Sequence, residues 1–529
     1  MIHHQSTSGG LIALPWYILI MSTDAYATLC EQYEQIANIQ HAQSVLSWDQ
    51  QVTMPEGGTP ARTAQLSALS TVAHNALTDD IIADALETLR ANSDSLSSDE
   101  KATVREIRRK HERAAAVPES LVAEMSETAS EALSVWESAK ANNDFNAFAP
   151  YLQRHVELNR EYAEYIDPTR DAYAVLLEEF EPCLPLDHVE SVLREIREAL
   201  IPMIDAIRAS DTTLATDAFT RQGTYSSANQ EALCRDVLTT LGYPWERGRL
   251  DTAPHPFSMG TSFDARVTTR FDETDPLGSL FSTIHEFGHA TYTLGLSDDA
   301  YATPLGEDRD LSVHESQSRL WENHVGRSRA FWNVLLPQIN THFPKTDALS
   351  VNEAYEAANQ VYKDNLIRVN ADELTYHLHV LIRYEIERAL IAGDIDVAEV
   401  PAIWDDKYEE YLGIRPETDA EGCLQDIHWS HGNIGYFPTY SLGSAMAAQL
   451  YAAAEESIVE LDSKVAAGSF DEIRRWLQTN VHQHGARYET DKLITQATGS
   501  SFTADAFISY VSEKYGSLYD LDQEFRVGN

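Results

Sequence analysis

The sequence predicts a mainly α-helical protein with one small β-sheet. Amphipathic stretches with apolar residues at helical spacing follow one another almost without interruption along 529 residues. Strand signals are few; the clearest is Ala265-Arg266-Val267-Thr268-Thr269-Arg270-Phe271. No Gly/Ser- or Pro-rich linker and no repeat divides the chain, although its length alone would allow three or four domains.

Residues 1–21 stand apart. Leu11 to Met21 is apolar but holds Pro15, and only His3 and His4 precede it as possible basic residues. The stretch is too short to span a bilayer and lacks the Lys/Arg region and cleavage site of a signal peptide. It is expected to be a non-structural extension, with Met21-Ser22-Thr23-Asp24 as the natural start and helix cap of a single domain over 22–529. Helices are expected over 24–46, 119–142, 145–165, 226–240, 351–392, 441–465 and 470–481. Ser97-x-x-Glu100 and Asp187-x-x-Glu190 read as capping boxes opening two more.

The most specific element is His285-Glu286-Phe287-Gly288-His289. Leu277, Leu280, Phe281 and Ile284 recur before it at helical spacing, and Asp275-Pro276 supplies a cap and a first residue. On a helix, two histidines four positions apart lie on one face about 6 Å apart along the axis. Both can reach one Zn2+, with Glu286 beside it to take a proton from water. Gly288 inside a helix costs about 1 kcal/mol against Ala, a sign of close packing. A catalytic zinc needs a third protein ligand. The metzincin Gly and His are absent after His289, so that ligand is expected to be a carboxylate among Glu307, Asp308, Asp310, Glu315 and Glu322. The first three lie in a segment broken by Pro304 and Gly306, whereas His314 to Trp321 reads as a second helix. A rigid element places a ligand better than a loop, which makes Glu315 the first choice and Glu307 the second.

Asp plus Glu outnumber Lys plus Arg 83 to 39, a net charge of −44. Such a surface repels nucleic acid and anionic membranes, so neither is an expected partner. It fits a salt-rich cytoplasm, where screening relieves self-repulsion. Cys30, Cys183, Cys234 and Cys423 form no Cys-x-x-Cys pair, consistent with a reducing compartment; spacing leaves a Cys183–Cys234 pairing open.

Further clusters follow in order: Ser47-Trp48-Asp49-Gln50-Gln51, His255-Pro256-Phe257, Asp264-Ala265-Arg266-Val267-Thr268, His314-Glu315-Ser316-Gln317, Ile367-Arg368-Val369-Asn370-Ala371-Asp372, Gly422-Cys423-Leu424-Gln425-Asp426-Ile427-His428-Trp429 and Gly435-Tyr436-Phe437-Pro438. With the histidine motif they closely resemble the M32 family of metallocarboxypeptidases over roughly residues 25–525. The resemblance implies a saddle-like helical molecule with a deep central groove, usually a homodimer. It implies removal of single residues from peptides with a free C-terminus, with broad specificity and poor tolerance of proline. It also implies Zn2+, with Co2+ as a possible substitute. His285, His289 and Glu315 match the family's metal ligands and Glu286 its catalytic acid/base.

Beyond those four, Tyr436 and His428 lie in a Gly-rich aromatic segment suited to oxyanion donors, though either could be structural. The substrate carboxylate calls for Arg266, Arg368 or Arg415, each equally readable as a salt bridge, for instance Arg368 with Asp372. His255 would contact substrate or brace the site. Two competing functions remain: an endo-acting zinc oligopeptidase, and a helical binding protein with a vestigial site.

Overall fold

A computed structural model describes residues 13–521 and Phe525, with side chains from Thr23 onward. The chain forms two compact units: Met1–Ala116 with Ser297–Glu307 and His484–Arg487, and Val117–Leu296 with Asp308–Gln483 and Tyr488–Asn529.

The first unit holds helices α1 (Ala13–Val52), α2 (Thr59–Leu77), α3 (Asp80–Ala91) and α4 (Ser98–Ala116). Residues 1–12 of the expected extension lie outside the described residues. Helix α1 already begins at Ala13, so no cap falls at Asp24. Nothing in Met21-Ser22-Thr23-Asp24 breaks a helix, and Pro15 sits in the first turn, where its missing N–H removes no helical bond. The Ser97 capping box is present: the Glu100 amide donates to Ser97 Oγ at 3.3 Å and the Ser97 amide to Glu100 Oε2 at 2.7 Å. Leu29, Tyr33, Ile36, Leu86, Leu89 and Ile107 form this unit's core.

The second unit begins with α5 (Glu119–Asn142), α6 (Phe145–Ile166), α7 (Ala172–Leu177), α8 (Leu186–Ala209) and α9 (Ser227–Leu241). The box expected at Asp187 does not form. Extended Pro185 precedes the helix, and Asp187 lies within the first turn, where its charge suits the helix dipole. Strands β1 (Gly248–Thr252), β2 (Ser258–Thr261) and β3 (Asp264–Thr269) make one sheet in the order β1-β3-β2, with β3 parallel to β1 and antiparallel to β2. Helix α10 (Pro276–Gly295) packs on β2 and β3. Helix α11 (Leu311–Arg319) continues as a π-helical stretch over Leu320–Gly326. There follow α12 (Arg329–His342), α13 (Val351–Ala358), α14 (Thr375–Ala392), α15 (Val400–Leu412) and α16 (Pro438–Ser457). The last helices are α17 (Leu461–Ala466), α18 (Asp471–Asn480), α19 (Thr490–Thr498) and α20 (Asp505–Tyr519).

Two expected helices are divided. The stretch 351–392 opens between α13 and α14 because the Asp372 carboxylate takes the amides of Tyr362, Leu374 and Thr375, competing with helical pairing. The stretch 441–465 breaks after Ser457, where Glu460 turns to φ 57°. Cys183 and Cys234 are not bridged to each other. Among the described residues no helix is long and apolar enough to cross a membrane.

Candidate active site

Helix α10 starts as its sequence predicts: Asp275 Oδ1 accepts the amides of Leu277 and Gly278, both at 3.1 Å, with Pro276 next. His285 and His289 then project from successive turns, ring centres 4.9 Å apart. Helix α11, capped by Asp310, brings up Glu315. Glu315 Oε2 lies 3.5 Å from His285 Nε2 and 3.4 Å from His289 Nε2. Ligands about 2.0–2.2 Å from a tetrahedral metal stand about 3.4 Å from one another, so both Glu315 distances match a zinc-type site, and all three ligand atoms lie within 4.8 Å of one another. Two glycines permit this approach. A Cβ on Gly288 would lie 2.4 Å from the Gln317 carbonyl oxygen on α11, and one on Gly443 of α16 would lie 2.6 Å from Glu315 Cβ.

A second layer orients the triad. His285 Nδ1 is 2.9 Å from Glu322 Oε2, leaving Nε2 as the open lone pair. Glu322 is itself held by Arg327 at 2.9 Å and Arg319 at 3.3 Å. Arg319 Nε also donates to Glu315 Oε1 at 2.7 Å. Burial works against Glu315 ionising, but Arg319 and His285 overcome it and hold the carboxyl well below its usual range. For His285 burial is likewise outweighed, by Glu315 and Glu322, and its pKa rises. His289 Nδ1 meets His314 Nδ1 at 2.5 Å. Burial, with His289 beside it, lowers His314 to about 4; as a neutral ring it can accept that proton.

Glu286 is 6 % exposed, and its Oε2 has no hydrogen-bond partner. Burial lifts its carboxyl to about 7, against the pull of His285 and of the Ser258 hydroxyl on β2. A group poised there can both take and return a proton near neutrality.

The 426–440 segment supplies aromatic groups. His428 Nε2 is 3.1 Å from the Tyr440 hydroxyl, and its ring centre is 5.3 Å from that of Tyr436. Burial drops His428 to about 3 and raises Tyr436 to about 12, so both are neutral near pH 7. Arg368, buried, binds Asp426 Oδ1 through Nε at 2.9 Å and Nη2 at 2.7 Å. Asp426, not Asp372, is thus its partner. Arg368 Nη1 donates to the Tyr376 hydroxyl at 3.2 Å, and Arg319 stacks 4.7 Å from the Tyr376 ring centre, so Tyr376 links Arg368 to the triad.

The other sequence candidates have the following surroundings. Arg266 on β3 pairs with Asp264 at 2.7 Å, and His255 is exposed just before β2. Arg415 is exposed and engaged by Asp405, Asp406 and Glu409. Glu307 belongs to the first unit, bonded to Lys110 and to Tyr33. Sequence reasoning missed Arg319 and Tyr376 and gave Glu322 no second-layer role. The i, i+4 spacing of Arg319 from Glu315 was a usable signal for the first.

A helical protein with His-Glu-x-x-His on one helix and a carboxylate completing the set from the next is built as a metallopeptidase. Residues 28–515 match the family model for carboxypeptidase Taq (M32) metallopeptidases. Carboxypeptidase 1 of Bacillus subtilis is 37% identical over 494 residues, covering 92% of this chain and 97% of that one. Thermostable carboxypeptidase 1 of Thermus thermophilus is 36% identical over 94% of this chain and 99% of its own. The crystal structure of an M32 carboxypeptidase from Deinococcus radiodurans superposes with a TM-score of 0.89 at 37% identity, covering 94% of this chain and 100% of that one. The chain belongs to the M32 family and is a metal-dependent carboxypeptidase.

Proposed function

We propose that the protein releases single residues from peptides with a free C-terminus, broadly but poorly at proline, using Zn2+ held by His285, His289 and Glu315. The observation that carries this reading is the 3.4–3.5 Å spacing of Glu315 Oε2 from both histidine Nε2 atoms, with Glu286 next to His285 on the same helix. Zn2+, or Co2+ in its place, supplies polarisation of the scissile carbonyl and acidification of water. Glu286 takes the proton of the attacking water on Oε2 and passes it to the leaving amine. Tyr436, which keeps its proton, donates to the oxyanion, and neutral His428 stands beside it for the same charge. Arg368, fixed edge-on by Asp426, receives the terminal carboxylate. Arg266, on the central strand of the sheet packed on α10, and His255, just before β2, are assigned to the peptide further from its terminus. Arg415, neutralised by three acids, is least suited to this task.

The protein is further proposed to work in a salt-rich cytoplasm, which its charge and its lack of a Cys-x-x-Cys pair support, and to act as a homodimer. The test is mass spectrometry of peptides incubated with the zinc-loaded protein. Stepwise C-terminal loss is expected, abolished by Glu286→Gln with zinc retained and weakened about 100-fold or more by C-terminal amidation. Internal cuts would sink the reading.

A further inference from the structure

The buried carboxylate of Glu387 on α14 plays no part in the chemistry above, yet it holds the chain beside two of its residues. Glu387 is fully buried. Its Oε1 accepts the Trp429 indole N–H at 2.9 Å. Its Oε2 accepts the Tyr173 hydroxyl and the Gly435 amide, each at 3.0 Å. Among the described residues no Lys or Arg forms an ion pair with it; neighbouring Arg388 pairs with Asp171 and Glu190. Around the carboxylate stand the Tyr173 ring on α7, with Tyr384 edge-on and Arg388 over it, and the repelling charge of Asp426. A buried carboxylate without a cation is expensive, and here three directed donors offset the cost.

Two of those donors sit at the ends of one short segment. Trp429 directly follows His428, and Gly435 directly precedes Tyr436. One carboxylate therefore holds the residue next to each proposed oxyanion residue, Trp429 through its indole and Gly435 through its backbone amide. Glutamine would fill the same volume, but its amide NH2 would confront a donor on one side.

We propose that Glu387 is a positioning residue, whose carboxylate ties Trp429 to Gly435 and thereby sets where the Tyr436 hydroxyl and the His428 ring stand. This rests on the reading of Tyr436 as an oxyanion donor. The test is a double-mutant cycle in the zinc-loaded, full-length enzyme with Glu387→Gln, Tyr436→Phe and both together. Tyr436→Phe is expected to lower kcat about 100-fold, the scale of one lost oxyanion donor. Glu387→Gln should retain its zinc, keep KM within about twofold and lower kcat about tenfold or more, and the double variant should lose less than the product of the two single losses, because Tyr436 is then no longer there to be positioned. Additive losses, lost zinc, or a kcat within about twofold of native would overturn the proposal. An unchanged kcat in Tyr436→Phe alone would instead identify the oxyanion reading as the failure and take the proposal with it. Should Glu387→Gln not fold, Trp429→Phe removes one donor only. A smaller kcat loss, again non-additive with Tyr436→Phe, is then expected, and an unchanged kcat overturns the proposal.

Discussion

Gly288→Ala sets two effects of known size against each other. An alanine inside a helix is favoured over glycine by about 1 kcal/mol, so propensity alone predicts a more stable protein. The new Cβ, however, would lie 2.4 Å from the Gln317 carbonyl oxygen and 2.5 Å from Ser318 Cα. Carbon atoms settle at about 3.5–4.0 Å, so α10 and α11 must part by about 1 Å. Both obstacles are backbone, which no side-chain rotation relieves. Ser318 Oγ is bonded to Glu315 Oε2 at 2.9 Å, so displacing α11 carries Glu315 away from the histidines. The spacings of 3.4 and 3.5 Å would open towards about 4.5 Å, too wide for one tetrahedral ion. Overpacking costs about 1–3 kcal/mol, enough to cancel or exceed the propensity gain. The metal site suffers more: zinc affinity is expected to fall about 10- to 100-fold, as when oriented ligands lose their support. Chelator competition measures the affinity, and melting of the metal-free protein separates loss of fold from loss of site. A variant that melts higher and binds zinc as tightly as native would refute the packing argument.

Glu322→Gln strips His285 Nδ1 of its carboxylate partner and Arg327 of its counter-charge; zinc affinity should drop about 10- to 100-fold by chelator competition, and an unaltered Kd would deny it an orienting role. Burial lifts Glu387 to about 7 in the folded protein, above the unfolded value of about 4.3. The stability it contributes is therefore complete below about pH 4 and lost as pH rises through 7, a difference of up to about 4 kcal/mol. Between pH 5 and pH 8 the native melting temperature should fall further than that of Glu387→Gln, and equal falls would count against this. Arg415→Ala, at an exposed and already neutralised site, should leave kcat/KM within about twofold; a large rise in KM would return it to the substrate site. With a net charge of −44, the melting temperature should rise as KCl goes from about 0.1 to about 1 M and the Debye length shrinks from about 10 to 3 Å; a flat response would remove the argument for a salt-rich cytoplasm.

What the sequence discloses about the site is local. The start of α10 is legible because cap, proline and ligand spacing all lie within fifteen residues, and Glu315 is legible because Pro304 and Gly306 set its loop rivals apart. Where reasoning by spacing fails, the helix it assumes is absent. Arg368 and Asp372 stand four apart, but 359–374 holds no α-helix, only a single 3-10 turn at Arg368–Asn370, and the true partner, Asp426, is 58 residues on. Glu322 acts from a π-helical stretch, whose wider turn no α-helical pattern describes. Arg383 and Glu387 show the converse. They are both buried on α14, four residues apart, a spacing at which opposite charges can pair. Instead each reaches outwards to the same distant segment: Arg383 Nε donates to Asp426 Oδ2 at 2.7 Å, while Glu387 takes Trp429 and Gly435. Two opposite charges buried four apart on one helix need not neutralise each other. When the partners of both lie in one segment carrying His428 and Tyr436, the helix serves as the frame against which that segment is held.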